Sequence, residues 1–124
     1  MARLGWAGEM DPAVEQRGLR LEEELARIMN ILVREYTPEK LILFGSAAQG
    51  ELHEWSDLDL VVIKRTDKPL MERIEEVLRL VRPKVGLDVL VYTPEEMENL
   101  IGERRVFVLD EIIYKGAVAY ERRH

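Results

Sequence analysis

The chain reads as an α/β or α+β domain, helices packed on a small β-sheet, and three observations carry that reading. Short apolar runs at 41–44, 57–64 and 87–92 have the length and composition of buried strands. Longer stretches place apolar residues every three or four positions, as amphipathic helices do. Proline and glycine fall at the joins, where chain direction changes. The resulting order is helix, strand, strand, helix, strand, helix, helix, strand, a layered arrangement.

Length and composition fit one domain. The 124 residues are near the commonest domain size, and 47% apolar with 34% charged residues suits a globular core under a charged surface. No repeat or linker divides them. Cysteine is absent, which excludes disulfides, thiolate metal sites and a Cys nucleophile. His53 and His124 are too few and too scattered for a zinc site. A net charge of −6 argues against a broad nucleic-acid surface. No apolar run approaches a membrane span and no secretory core opens the chain, so a cytoplasmic location is expected.

Residues 1–10 read as a weakly ordered lead-in, and 11–124 as the domain. Asp11-Pro12 is a helix start, an N-cap side chain before proline. Leu21, Leu25, Ile28, Met29, Leu32, Val33 and Tyr36 then form an apolar stripe, with Glu22, Glu23, Glu24, Arg27 and Arg34 expected mostly on the outer face. A turn at 37–40 leads to the strand 41–44, which Gly45-Ser46 breaks. Residues 47–52 form a short helix in this reading, with Gly50 able to end it. After a polar connection comes the strand 57–64. Pro69 opens a helix with Leu70, Ile74, Val77, Leu78 and Val81 inward, stopped by Arg82-Pro83. The strand 87–92 follows. Thr93-Pro94-Glu95-Glu96 is a capping box, and Met97, Leu100 and Ile101 give its helix an apolar side. Residues 106–115 make a further helix ended by Gly116, and 117–120 an edge strand.

The chemistry concentrates in two places. Asp57 and Asp59 are one residue apart, so an extended strand points both to one face while Leu58 and Leu60 turn into the core. Adjacent carboxylates repel unless a cation lies between them. A third acid, Asp88, interrupts another apolar strand. If the two strands pair, three carboxylates meet at one end of the sheet, a donor set suited to Mg2+ and substrate phosphates. Either half alone is weak: a Gly-Ser after a strand is usually a turn, and exposed strands often carry acids. The helix start beside Gly45-Ser46 adds backbone N–H groups and a hydroxyl that suit a phosphate. Trp55 is a candidate to stack on a base or to cover the core, and His53 reads as exposed.

The segment Gly45-Ser46, ten residues from Ala47 to Ser56, then Asp57-Leu58-Asp59-Leu60, resembles the Gly-Ser…Asp-x-Asp signature of the polymerase-β-type nucleotidyltransferase superfamily. The wording Gly-Ser-Ala-Ala-Gln-Gly…Ser-Asp-Leu-Asp-Leu-Val-Val is similar to its minimal nucleotidyltransferases, small prokaryotic proteins often encoded beside a HEPN-domain partner as a toxin–antitoxin pair. The resemblance runs from about Leu19 to Tyr120. It implies a small mixed sheet flanked by helices. It implies Asp57, Asp59 and Asp88 as ligands of two Mg2+ ions, with Asp88 also activating the acceptor hydroxyl. It implies Gly45, Ser46 and Ser56 on the nucleotide side, ATP as donor, and transfer of AMP to a hydroxyl such as a tyrosine of the HEPN partner. A partner-binding antitoxin that neutralises by contact, with little or no catalysis, is the alternative. One departure bears on that choice. Many minimal members read Gly-Ser-Arg-Ala-Arg-Gly, and here Ala47 and Gln49 stand where those arginines would be. Lys64, Arg65 or a partner's arginine are candidates to compensate.

Overall fold

The computed structural model describes residues 11–123; the lead-in expected over 1–10, and His124, lie outside the described residues. Helix α1 (Pro12–Ile31) starts where Asp11 caps it, the Asp11 carboxylate accepting the Ala13 N–H at 2.8 Å. It continues through a wider π-type turn, Leu32–Tyr36, which ends at Thr37 with a left-handed backbone. Strand β1 (Lys40–Phe44) follows, then a short helix α2 (Gly45–Gln49) ended by Gly50 at φ 72°. Strand β2 (Leu58–Ile63), helix α3 (Leu70–Val81) and strand β3 (Leu87–Tyr92) form a strand–helix–strand unit. Helix α4 (Pro94–Gly102) has the expected capping box: the Thr93 hydroxyl accepts the Glu96 N–H, and the Glu96 carboxylate accepts the Thr93 N–H. The last helix, α5 (Val108–Tyr114), is π-wound rather than α-helical, and β4 (Ala117–Glu121) closes the chain.

The sheet order is β3-β2-β1-β4. β1 runs antiparallel to β2 and β4, while β2 and β3 are parallel, joined by the α3 crossover that a parallel pair requires. The sheet is therefore mixed and flanked by helices, as expected, with β4 at an edge.

Strand alternation divides the core in two. Leu41 and Leu43, Leu58, Leu60 and Val62, and Val89 and Val91 face α1 and α3, packing with Leu21, Leu25, Ile28 and Val77. Ile42 and Phe44, with Val61 and Ile63, face α4 and α5 through Met97, Val108 and Ile112. Burial on both faces explains why these strands are continuous apolar runs; each buried Leu or Val contributes about 1.5–3 kcal/mol.

Two charged groups of the helices lie inside, Glu24 and Arg73. Glu24 was expected on the outer face of α1 but is 5% exposed. Its carboxylate takes both Arg27 donors, at 2.7 and 2.8 Å, and the Lys84 N–H at 2.5 Å. Arg73 of α3 is also buried, donating to the Lys68 and Val91 carbonyls and to Glu96 at 2.6 Å, which ties α3 to β3 and α4. Among the described residues no helix is long and apolar enough to cross a membrane.

Candidate active site

The register of the sheet brings two of the three acids together. Asp59 pairs with Asp88 across β2 and β3, and with Phe44 across β2 and β1. Both acids lie at the N-terminal ends of the parallel strands, and by alternation with Leu58, Leu60 and Val89 both belong to the α4–α5 face. Asp59 is half-buried and Asp88 is exposed, so the site opens to solvent. Burial, then a side-chain hydrogen bond with Asp88, then the charges of Asp88 and Asp57 push the Asp59 carboxyl up to about 6.

Two glycines make room for the acids. Gly45 has φ 72°, and a Cβ on it would overlap the Asp59 carboxylate. A Cβ on Gly86 would likewise overlap the carboxyl group of Asp57. The chain thus approaches two of the acids with bare backbone. Gly45 also turns β1 into α2, which puts half-buried Ser46 on the first turn of that helix, directly after the glycine that lies against Asp59.

Asp57 is held apart from the pair. β2 begins at Leu58, so strand alternation does not reach Asp57. Its carboxylate instead accepts from Arg17 Nη2 of α1 at 3.1 Å, and α1 packs against the opposite face of the sheet from Asp59. Asp57 remains near enough for its charge to act on Asp59. Among the described residues no three acidic or histidine side chains stand in a ready cation cage. The donors do fit Mg2+ chemically: all are hard oxygens, and burial together with the neighbouring Asp88 and Asp57 has already raised Asp59, a cost that a cation would relieve.

Ser56 is buried, and its hydroxyl accepts the His53 N–H at 2.9 Å, closing the 53–56 turn. Its carbonyl accepts from Arg17 Nε at 2.7 Å. Ser56 therefore fixes the loop that carries Asp57. Trp55 is 77% exposed, so it does not cover the core. His53 is exposed as expected, with Nδ1 accepting the Trp55 N–H.

The structure also relocates the question of the missing arginines. Ala47 is 1% exposed and part of the core beside Leu41 and Leu43, so a long cationic side chain there would displace core packing. Lys64 donates to the Tyr36 carbonyl and the Thr37 hydroxyl, and Arg65 pairs with Glu39 and Glu95. Both follow the far end of β2, roughly 17 Å along the strand from Asp59. They do not compensate at this site. Among the described residues the cation in contact with the acids is Arg17, which sequence reasoning missed. Its partners lie 39 and 40 residues away, beyond the reach of any local sequence pattern.

A nucleotidyltransferase domain model matches residues 25–115, and the chain belongs to that family. A solved structure from Sulfolobus solfataricus, given a provisional nucleotidyltransferase description, superposes with a TM-score of 0.67 at 18% identity, covering 93% of this chain and 92% of that one. At that identity the likeness shows the fold alone. The search of curated proteins finds no match.

Proposed function

We propose that this nucleotidyltransferase domain moves a nucleoside monophosphate, AMP from ATP, onto a hydroxyl group in a Mg2+-dependent reaction. The observation that carries this is the Asp59–Asp88 register beside Asp57, bordered by two glycines that admit no side chain. Asp57, Asp59 and Asp88 would hold the ions, which when bound neutralise charge on the triphosphate and the leaving pyrophosphate. Gly45 and Ser46 offer backbone N–H groups and a hydroxyl to the phosphates. Asp88, exposed at the sheet edge, accepts the proton of the incoming hydroxyl. Ser56 acts by holding the loop that carries Asp57.

The acceptor we assign is a hydroxyl side chain of a protein, a HEPN-domain partner by resemblance, which makes the chain an antitoxin. Exposed Val106, Phe107, Ile113, Tyr114 and Val118 on α5, β4 and the segment before α5 support a protein partner. A second reading, neutralisation by contact without turnover, is favoured by the Arg17–Asp57 ion pair, which engages one of the three acids. Label from [α-32P]ATP separates the two when the chain and the protein encoded beside it are incubated together. Wild type should label the partner, and the double variant Asp57→Ala, Asp59→Ala should not. Equal neutralisation by both, with no label moved, overturns the catalytic reading.

A further inference from the structure

We propose that Arg17 is the phosphate-binding guanidinium of this site, exchanging Asp57 for the nucleotide's phosphates when the nucleotide binds. The inference rests on the function proposed above and adds a residue to it. Among the described residues, Arg17 is the one cation in contact with any of the three aspartates. The α2 segment cannot replace it: Ala47 is in the core, and Gln49 carries no charge. Lys64 and Arg65 are committed at the other end of β2.

Three features suit Arg17 to exchange. Its Nε donates to the Ser56 carbonyl at 2.7 Å, which anchors the guanidinium beside the Asp57 loop whatever Nη2 touches. Among the described residues Nη1 makes no hydrogen bond, so the planar fork has a second donor to offer. The Asp57 side chain is 51% exposed and that of Arg17 20% exposed. So open an ion pair contributes little, and breaking it costs little. A phosphate, with more charge and a geometry matched to a guanidinium, is the stronger partner. Asp57 released in this way regains its carboxylate for the cation that accompanies the nucleotide. The Arg17–Asp57 pair is then the resting state of the site.

The test uses the full chain with Arg17→Gln and Arg17→Lys, two separate ligands, and thermal unfolding to confirm folding. Mg2+-ATP is titrated by calorimetry, and Mn2+ alone by electron paramagnetic resonance. Arg17→Gln should bind Mg2+-ATP about tenfold or more weakly. It should bind Mn2+ alone as tightly as wild type or more so, because the competitor for Asp57 is gone. Arg17→Lys keeps the charge and loses the fork, and should fall between. Mg2+-ATP affinity in Arg17→Gln within about twofold of wild type overturns the proposal. So does a parallel loss of both ligands, which marks Arg17 as a prop for the loop. If Arg17→Gln does not fold, Arg17→Lys decides by the same two comparisons. Failure of wild type to bind Mg2+-ATP or Mn2+ is a different result: it removes the nucleotidyltransfer reading, and the role of Arg17 with it.

Discussion

Replacing Asp59 with Asn should stabilise the metal-free chain while abolishing its function. The Asp59 carboxyl titrates near 6 in the fold against 3.8 as a free side chain, chiefly because it is desolvated and lies beside Asp88. The folded chain therefore holds that proton more tightly than the unfolded chain does. The penalty for ionising Asp59 is absent below pH 3.8, grows as pH rises toward about 6, and is complete above it. At about 1.4 kcal/mol per pH unit the ceiling is ~3 kcal/mol. Asp59 is partly open to water, and screening reduces this to about 1–2 kcal/mol. Asn has nearly the same shape, carries no charge, and can donate to Asp88. Urea denaturation in EDTA at pH 5 and pH 8 measures the effect. Asp59→Asn should be about 1–2 kcal/mol more stable than wild type at pH 8, with a smaller difference at pH 5. A difference independent of pH, or a variant less stable than wild type at pH 8, refutes the cost of ionising Asp59 in its half-buried place beside Asp88.

Further outcomes follow from the same contacts. Gly45→Ala and Gly86→Ala each force a methyl group against an aspartate, so both should lower Mg2+-ATP affinity in calorimetry, Gly45→Ala also losing about 1 kcal/mol or more for its positive φ. Glu24 is held down to about 2, first by its hydrogen bonds to Arg27; it contributes ~3 kcal/mol above pH 4.5, and this is lost as pH falls toward 2, so acid unfolding of Glu24→Gln should be much shallower than that of wild type. Arg73→Met leaves the Val91 carbonyl without this donor and Glu96, which is partly open to water, with only the Thr93 N–H, and should destabilise by about 1–3 kcal/mol in urea, with nucleotide affinity unchanged in the folded fraction because the site is at the other end of the strands.

Much of the fold was legible because its signals are local. The Asp11 cap, the Thr93 capping box, the glycine after the first strand and the double-faced apolar runs each predict an element from neighbouring residues, and each element forms. The convergence of acids was legible in part: Asp59 and Asp88 each stand second in their strands, so the pairing of those strands aligns these two, while Asp57 stays outside the register. What escaped depends on contacts distant in sequence. Glu24 reads as a surface residue of an amphipathic helix until the Lys84 N–H, 60 residues later, closes on it. Arg17 carries no local signal at all; its role appears only when the Ser56–Asp57 loop, 39 and 40 residues on, folds against it. Asp57 obeys strand alternation only if β2 includes it, and β2 begins one residue later. The π-winding of α5 has no periodic signature in so short a stretch.

Where a nucleoside triphosphate would break at the Asp57, Asp59 and Asp88 site, at its α-phosphate or elsewhere, is read directly from the position of the label that moves. The chain and its acceptor protein are incubated in parallel with ATP labelled at the α- or the γ-phosphate, with Mg2+ present. Nucleotidyl transfer predicts label on the acceptor from the α-position alone, and none with Asp59→Asn. Label from the γ-position, or α-label that persists in Asp59→Asn, rules out nucleotidyl transfer by these aspartates.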